Sequence, residues 1–508
     1  MAQPDLRLAD LLAALSVTTD LAMGQPPEKA IRACVVATEV ARRLDLPDHE
    51  VSDVYYTTLL KHLGCTATPH EELLFGPDEL ATRPTAERTD IARPRELLSL
   101  LLTTGKGTGP DRVRYLGRAI TAGKEANAEI YRAICEVATR LAERLRLGAG
   151  VEEALFQTLE RWDGRGAPRN IRGEEIALPA RIAEPATQMV IFHGLGGIEA
   201  ATTMLERRAR GWFDPLVAEA ARAAAPDVLE RLDREDPWAT VLEAEPEPVR
   251  RVPEPRLDEV AAAFGDMVDL KSTFTPGHSS GVAELAAGAA VRLGLDEASV
   301  RRAAALHDLG RAAVPIGTWE KPGRLTATEW ERVRVHAYQT ERIMARSEAL
   351  APLAPLAGMH HERQDGSGYH RGTRGSQAPP EARVIAAADV YQALTQARPH
   401  RPARSGEEAA EVVGDEASAL DPECARAVIE EAGHRPARRP SWPAGLSDRE
   451  VEVLRLLARG LANKAIARRL SISPRTAEHH VQHIYAKIGA STRASATLFG
   501  MENGLLRE

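Results

Sequence analysis

Two short segments of the chain carry side chains that bind metal ions when they are brought together. His307-Asp308 places an imidazole beside a carboxylate, and His360-His361 places two imidazoles side by side. Such groups are rarely buried unless they are hydrogen-bonded or coordinated. The adjacent pairs therefore predict a metal cluster. A set of nitrogen and oxygen ligands without thiolate suits iron, manganese, zinc or nickel better than soft metals.

A second pattern, of short capped helices, occupies the carboxyl-terminal end of the chain. Ser447 and Glu450 form a capping box at the start of one predicted helix. Ser473 and Pro474 are typical N-cap and N1 residues of another, which runs from Arg475 to Ile488. Apolar residues recur at helical spacing on one face of this helix, and polar residues lie on the other. The pattern predicts a helix-turn-helix.

Length and composition predict an all-α protein of several domains. At 508 residues the chain is too long for one core and should form about three or four domains. Only 4% of the residues are aromatic, and Ala, Leu, Arg and Glu dominate, which favours helices. The four cysteines show no Cys-x-x-Cys spacing, which indicates a reducing compartment. With no signal-peptide pattern and no apolar run of about 18–20 residues, we expect a cytoplasmic protein without a membrane partner.

Charge and proline content divide the chain further. Residues 436–508 contain twelve Lys and Arg against six Asp and Glu, although the whole chain has a net charge of −8. A basic end on an acidic body indicates a nucleic-acid-binding appendage. Stretches rich in proline predict linkers. The predicted division is a first domain at 1–242, a linker at 243–256, a second domain at 257–433, a linker at 434–445 and a terminal domain at 446–508.

The first two predicted domains resemble one another, which indicates an internal duplication. The segment 60–64 aligns with 306–310, and the segment 160–166 aligns with 362–368. The second pair shares the pattern Glu-Arg-x-Asp-Gly-x-Gly, which is not a feature of helical composition. Chance alignment of helices rich in Ala, Leu and Arg is the alternative explanation.

The second predicted domain resembles the HD-GYP-type domains, helical phosphohydrolases of the HD superfamily, from about Leu257 to Arg404. The resemblance implies seven metal ligands: His278, His307, Asp308, His336, His360, His361 and Asp389. It also implies that Asp308 bridges two divalent ions, iron or manganese, with zinc or nickel as alternatives. We expect two ions and not three, because Phe274 stands where some members carry a further glutamate ligand. Paired ions can activate water and hold the attacking and leaving oxygens of a phosphodiester.

The same resemblance assigns catalysis and substrate binding. It implies that Asp308 and Arg311 are catalytic. The implied substrate-binding residues are Asp365, Gly366, Gly368, Tyr369, Arg398 and Arg401. Cyclic di-GMP is the usual substrate of the family, so we expect a cyclic dinucleotide or a related small phosphodiester. Four departures leave turnover and substrate open: Arg311 replaces the usual lysine, His370 a proline, Gln392 an aspartate and His400 a tyrosine.

The first predicted domain lacks the ligand set. The seven positions aligned with the ligands are Lys29, Lys61, His62, Ile134, Thr158, Leu159 and Thr187. Of these, only His62 offers a metal ligand, and the two lysines would repel a cation. We expect either a degenerate domain that senses a ligand or pairs with the second domain, or a domain with a packing role alone.

The terminal domain resembles the LuxR-type helix-turn-helix domains from Leu446 to Leu506. The resemblance implies that Glu478, His479 and Gln482 face base edges in the major groove, and that Arg475, Thr476 and Lys487 contact phosphates. Lys464, on the preceding helix, is also predicted to contact DNA. Domains of this type usually form homodimers through the last helix, here about 492–503, and bind double-stranded DNA at two half-sites.

Three functional hypotheses follow. In the first, the chain is a transcription regulator whose metal domain hydrolyses a cyclic dinucleotide or a related phosphodiester. In the second, the chain is a regulator whose metal domain binds a nucleotide as a sensor without significant turnover. In the third, both helical domains are scaffolds for partner proteins. The complete ligand set argues against the third, and the altered loop keeps the second open.

Overall fold

The computed structural model describes residues 6–68, 78–104, 123–415, 419–433 and 442–506. The chain divides into two compact units, Met1–Glu254 and Pro255–Glu508. Nearly all regular structure is helical, which confirms the all-α prediction. Among the described residues, helices long and apolar enough to cross a bilayer are absent.

The first unit is a bundle of helices closed by one short pair of strands. Its helices are α1 (Leu8–Ala22), α2 (Lys29–Arg43), α3 (Asp48–Leu59), α4 (Glu79–Glu87), α5 (Pro94–Thr104), α6 (Gly123–Leu145), α7 (Ala149–Phe156), α8 (Leu178–Arg208), α9 (Pro215–Arg234) and α10 (Pro237–Ala244). Helix α8 is interrupted at Gly196 and Gly197, whose backbone is not helical. Strands β1 (Leu6–Arg7) and β2 (Arg251–Val252) pair in antiparallel fashion.

The second unit begins with a similar bundle. Its helices are α11 (Leu257–Asp269), α12 (His278–Leu293), α13 (Glu297–Leu306), α14 (Ile316–Trp319), α15 (Ala327–Met344), α16 (Ala354–Gly358), α17 (Pro380–Thr395), α18 (Gly406–Asp415) and α19 (Pro422–Gly433). Helix α12 packs against α13, α17 and α19 and forms the centre of the bundle.

The helix-turn-helix region follows the predicted boundaries closely. Its helices are α20 (Asp448–Ala458), α21 (Asn463–Arg469), α22 (Pro474–Ile488) and α23 (Arg493–Glu502). The capping box between Ser447 and Glu450 is present, and the Ser473 hydroxyl accepts a hydrogen bond from the Thr476 backbone amide at 3.0 Å. The apolar face of α22 is buried against α20 and α23.

Part of the segment predicted as the first linker belongs to the first unit. Glu245 is buried, where it accepts hydrogen bonds from Arg7 and from the Tyr56 hydroxyl, both at 2.6 Å. Residues 251–252 form strand β2. A Pro- and Glu-rich composition predicted a linker, but the buried carboxylate of Glu245, with its two hydrogen-bond partners, anchors this part of the segment to the first unit. Most of the second predicted linker, residues 434–441, lies outside the described residues.

Candidate metal centre and DNA-reading helix

The seven predicted ligands converge in the second unit from separate elements. His278 begins α12, His307-Asp308 follows α13, His336 lies in α15, His360-His361 follows α16, and Asp389 lies in α17. Six of the seven are at most 5% exposed, and the His361 side chain is 20% exposed. The structure therefore places all seven in one buried cluster.

Local features of the sequence bring these elements together. The Asp269 carboxylate accepts the Ser279 amide and hydroxyl, each at 2.8 Å, which fixes the start of α12 beside His278. Gly310 allows a close approach, because a Cβ there would lie 1.9 Å from the carbonyl oxygen of His336. The first unit has both contacts. The Asp20 carboxylate accepts the Ala30 amide, and a Cβ at Gly64 would lie 1.9 Å from the Ile134 carbonyl oxygen. The duplication is thus visible in contacts as well as in sequence.

Four of the imidazoles are oriented by the nitrogen that points away from the cluster. The Nδ1 atoms of His307, His336 and His360 each face the carbonyl oxygen three residues earlier, and Nδ1 of His278 faces Oε1 of Gln396. These distances run from 2.5 to 3.0 Å. An Nδ1–H that donates to a carbonyl leaves the Nε2 lone pair free, as in metal-bound histidines. All four Nε2 atoms point into the cluster.

Three of the four inward-facing nitrogens, those of His307, His336 and His360, lack the hydrogen-bond partners that a protein alone would give them. The Nε2 atoms of His336 and His360 face one another at 3.1 Å, although each ring uses its proton on Nδ1. Nε2 of His307 is buried and, within the described structure, has no hydrogen-bond partner. Two nitrogen ligands that share an ion at about 2.1 Å lie about 3 Å apart. A divalent cation therefore fits this set of residues.

The Asp308 carboxylate lies between two groups of ligands. Its Oδ1 is 3.4 Å from Nε2 of His336 and 3.6 Å from Nε2 of His360. Its Oδ2 is 3.2 Å from Nε2 of His307 and 3.6 Å from Nε2 of His278. Each oxygen thus faces its own pair of imidazoles.

The Asp389 carboxylate completes the arrangement. Its Oδ1 is 3.1 Å from Nε2 of His278, and its Oδ2 is 3.6 Å from Nδ1 of His361. Two groups of three possible ligands therefore lie next to Asp308: His278, His307 and Asp389 form one, and His336, His360 and His361 form the other. A third group, His307, Asp308 and His360, joins them.

The electrostatics of the cluster favour the protonation states that ligands need at both aspartates, at His278 and at His360, but not at His307. Burial alone raises the pKa of Asp308 and of Asp389, but neighbouring cationic groups and hydrogen bonds outweigh it and hold both pKa values well below the ordinary range. Burial lowers the pKa of His278 to about 4 and that of His360 to about 3. Burial opposes protonation of His307 too, but the adjacent Asp308 raises its pKa to about 9. His307 is therefore protonated in the absence of metal, and a divalent ion would have to displace that proton in order to bind its nitrogen.

Two of the three predicted arginines, Arg311 and Arg398, reach the cluster. The Arg311 guanidinium donates to Oδ2 of Asp308 and lies 4.2 Å from the ring centre of Trp319. Nη1 of Arg398 donates to the Phe274 carbonyl at 2.8 Å, and Nη2 approaches Oε1 of Gln396 at 3.3 Å. Arg401 is different, since it donates to backbone carbonyls from Ala393 to Pro402 and so holds its own segment in place.

The loop predicted to bind substrate is first of all a tight turn. Oδ1 of Asp365 accepts the Ser367 amide at 2.9 Å, and Gly366 has a φ of +81°. A Cβ at Gly368 would lie 2.5 Å from the Arg363 nitrogen. Only Tyr369 points toward the metal ligands, with its ring centre 4.7 Å from that of His361.

A buried glutamate, Glu362, stabilises this loop by hydrogen bonds to its backbone. Glu362 accepts the backbone amides of Arg371 and Thr373, at 2.7 and 2.8 Å. In the first unit Glu160 accepts the Arg169 amide at 2.6 Å, and Asp163 accepts the Arg165 amide at 3.1 Å. The first copy therefore keeps the family-like loop sequence for a structural reason, because the same turn is built there without any metal ligands.

Two of the departures from the family pattern have contacts of their own. Nε2 of His370 lies 3.6 Å from Oε2 of Glu341, which also binds Arg371. The Gln392 amide fills the space beside Gly281 of α12, so that a Cβ there would lie 2.5 Å from it. His400, another of the four departures, is exposed.

In the first unit, ammonium groups occupy the aligned site. Lys29 pairs with Glu87 at 2.9 Å, and Lys61 pairs with Glu184 at 2.5 Å, with all four side chains no more than 10% exposed. His62 contacts Glu87 at 2.9 Å. Burial, with the neighbouring ammonium of Lys29, lowers the pKa of His62 to about 3. Two covalently attached cations and two carboxylates thus replace a metal-binding cluster.

Sequence reasoning missed the acidic partners and the supporting residues. Two lysines aligned with buried ligands require two buried carboxylates, and that requirement was the available signal for Glu87 and Glu184. Gln396 and Trp319 gave no comparable signal, because amides and indoles are common in packed segments.

The predicted DNA-contacting residues lie mostly on one exposed surface. Arg475, Thr476, Glu478, His479 and Gln482 are exposed along α22, and Lys464 is exposed on α21. Arg468 and Arg469, which the sequence analysis did not single out, are also exposed on α21 and add positive charge. Lys487 differs, because its ammonium donates to Glu450 at 2.7 Å and to the Gly445 carbonyl at 3.0 Å.

Comparison with known families decides the assignment. Residues 92–217 and 262–424, together more than half of the chain, match the model of the HD domain. The chain belongs to the HD domain family. The two separate matches fit the tandem arrangement of HD domains predicted from sequence. Residues 444–499 match the bacterial regulatory proteins of the luxR family, so the chain also carries a LuxR-type DNA-binding domain.

Several HD domain proteins with curated functions are similar to this chain. The 3'3'-cGAMP-specific phosphodiesterase 3 of Vibrio cholerae is 32% identical over 438 residues, which cover 84% of this chain and 94% of the relative. The cyclic di-GMP phosphodiesterase response regulator RpfG of Xanthomonas campestris is 34% identical over 182 residues, 35% of this chain and 48% of that protein. A crystal structure of the cyclic GMP-AMP-specific phosphodiesterase V-cGAP3 of V. cholerae aligns with a TM-score of 0.60 at 28% identity, covering 85% of this chain and 99% of that one.

Proposed function

We propose that the second HD domain is a phosphodiesterase that cleaves a cyclic dinucleotide with the help of two divalent ions. The observation that carries this proposal is the position of Asp308, whose two oxygens face two separate imidazole pairs within 3.6 Å. A bridging carboxylate between two ligand groups is what a pair of metal ions needs. Iron and manganese are the first candidates, with zinc or nickel as alternatives.

The substrate class rests on the cationic residues and on the relatives. Arg311 and Arg398 bring two guanidinium groups to the cluster, and guanidinium groups recognise phosphate through planar, paired hydrogen bonds. The relative that matches 84% of this chain is specific for 3'3'-cGAMP, and a relative that matches 35% of it is a cyclic di-GMP phosphodiesterase. We therefore take cyclic GMP-AMP and cyclic di-GMP as the substrates to test first.

Different residues of the second HD domain would bind the metal ions, bind the substrate and shape the loop. The seven ligands hold the ions, and the Nδ1 hydrogen bonds keep the imidazoles in the required tautomer. When bound, paired divalent ions polarise a water molecule and the phosphate oxygens. Arg311, released from Asp308 by substrate, would bind a phosphate oxygen. The predicted roles of Asp365, Gly366 and Gly368 are indirect in this scheme, since they shape the turn that presents Tyr369.

We further propose that the LuxR-type domain binds double-stranded DNA as a homodimer and so links the phosphodiesterase to transcription. The exposed face of α22 supports base contacts by Glu478, His479 and Gln482, and phosphate contacts by Arg475 and Thr476. Lys487 would have to leave Glu450 to reach a phosphate. We therefore expect it to contribute less to DNA binding than Arg475 does.

The decisive experiment follows hydrolysis by the purified full-length protein loaded with manganese or iron. Cyclic GMP-AMP and cyclic di-GMP are offered separately, and products are separated by chromatography. We expect cleavage by the wild type, loss of it in Asp308→Ala, and retention in His62→Ala, the aligned change in the first domain. Bound metal with no cleavage of either substrate would contradict the proposal and favour a nucleotide sensor without turnover.

A further inference from the structure

Helix α15 presents an exposed row of aromatic and arginine side chains next to the metal centre. Trp330 and Tyr338 are 45% and 44% exposed, and Arg334 and Arg342 alternate with them. The spacing of four residues places all four on one face of the helix. The Arg342 guanidinium lies 5.6 Å from the Tyr338 ring centre. We call these four residues the α15 face.

The α15 face is continuous with the metal centre through Tyr369. The ring centre of Trp330 lies 5.8 Å from that of Tyr369, in an edge-to-face arrangement, and the Arg334 guanidinium lies 5.8 Å from the same ring. Tyr369 in turn stacks near His361, at 4.7 Å. Tyr338 lies 5.6 Å from the His370 ring. A path of aromatic rings therefore leads from a candidate metal ligand to the solvent-exposed surface of α15.

The first domain keeps the arginines of this face but not its rings. With His336 aligned to Ile134, the four positions become Ala128, Arg132, Glu136 and Arg140. A charged helix face alone would be an ordinary solvated surface. At these four aligned positions, indole and phenol rings are present only in the copy that has the ligand set, so the rings accompany the candidate metal ligands and not the helix alone.

From these observations we propose that the α15 face binds a nucleobase of the cyclic dinucleotide, with Trp330 and Tyr338 as stacking surfaces and Arg334 as the cation beside them. This inference rests on the proposed function and extends it to a base-binding subsite. Nucleobases stack on exposed aromatic rings, and a neighbouring guanidinium adds cation–π attraction. Arg334 pairs with Glu331 at 3.0 Å, and Arg342 adds a second positive charge that suits the anionic ligand.

The test compares Trp330→Ala and Tyr338→Ala with Trp330→Phe and with Val291→Ala, a change at another exposed apolar residue of this unit. Initial rates of cyclic GMP-AMP and cyclic di-GMP hydrolysis give KM and kcat for each full-length variant. A stacking surface contributes to binding of both ground state and transition state. We expect KM to rise about tenfold in each alanine variant with kcat within about twofold of wild type. Trp330→Phe should restore most of the affinity, and Val291→Ala should change neither constant.

A binding measurement separates this proposal from the proposed function. Calorimetric titration with cyclic di-GMP and with GMP is carried out on metal-free Asp308→Ala protein, with and without Trp330→Ala. Weaker binding caused by Trp330→Ala supports the subsite even if the wild type cleaves nothing. Unchanged affinity and unchanged KM in both alanine variants, or absence of nucleotide binding altogether, would overturn it.

Discussion

The Nε2 atoms of His336 and His360 face one another across 3.1 Å while the Nδ1 atom of each ring is bound to its own helix. Two lone pairs so close repel unless a proton or a metal lies between them. Burial lowers the pKa of His360 to about 3, which disfavours the proton. The pair is thus arranged for a cation that the chain does not itself supply.

Removal of one member of this pair should remove metal. We expect His360→Ala to lose at least one equivalent of manganese or iron per chain, because the substitution removes one nitrogen from the group formed by His336, His360 and His361. Elemental analysis after gel filtration measures the loss. Thr158→Ala, the aligned change in the first domain, is the matched control and should keep the wild-type metal content. Equal metal content in wild type and His360→Ala would argue against the assigned cluster.

Arg311 and Trp319 should behave as a coupled pair. The planar guanidinium stacks on the indole at 4.2 Å, whereas a lysine ammonium would gain less from the ring. We expect Trp319→Leu to reduce kcat about tenfold in the wild type and clearly less in an Arg311→Lys background. A double-mutant cycle of kcat for cyclic dinucleotide hydrolysis measures the coupling. Additive effects would show that the stack does not position Arg311.

The buried Asp20 should make stability depend on pH. Burial raises its pKa to about 7, so the folded protein retains a proton that the unfolded chain releases near pH 4. Stability from this group is therefore complete below pH 4 and falls as the pH rises to about 7, by about 1.4 kcal/mol per pH unit. Asp20→Asn should reduce this decline. Unfolding temperatures measured across this pH range test it, with exposed Asp227→Asn as the control that should match wild type.

The two kinds of DNA contact should separate by salt dependence. Loss of a phosphate contact in Arg475→Ala should weaken binding to every sequence and lower the salt slope by about 1. Loss of a base contact in Gln482→Ala should cost about 1–3 kcal/mol on a selected site and little on random DNA. Fluorescence anisotropy at several salt concentrations measures both. Identical behaviour of the two variants would contradict the predicted orientation of α22.

The candidate ligands and the terminal domain could be predicted because their signals are local. A ligand motif or a helix cap is formed by residues that are near one another in the sequence. His307-Asp308 and Ser447 with Glu450 are local patterns, and the structure places them as expected. Contacts between distant segments were harder to predict. The burial of Glu245 against Arg7 and Tyr56 depends on residues more than a hundred positions away. The Asp-Gly-x-Gly loop is predicted to bind substrate, and its presence in both copies also follows from the turn that Glu160 and Glu362 hold.

Lys29 and Lys61 give the first HD domain positive charge that is part of the covalent chain. That charge is present as soon as the polypeptide is made and is independent of the supply of trace elements. The second domain, with metal ions bound as proposed, would take its positive charge from the surroundings, and it is followed in sequence by the LuxR-type domain. Scarcity of iron or manganese should therefore act on one half of the duplicated region and leave the other unchanged. The supply of metal would then change the second HD domain only, and the structure of the first would stay the same.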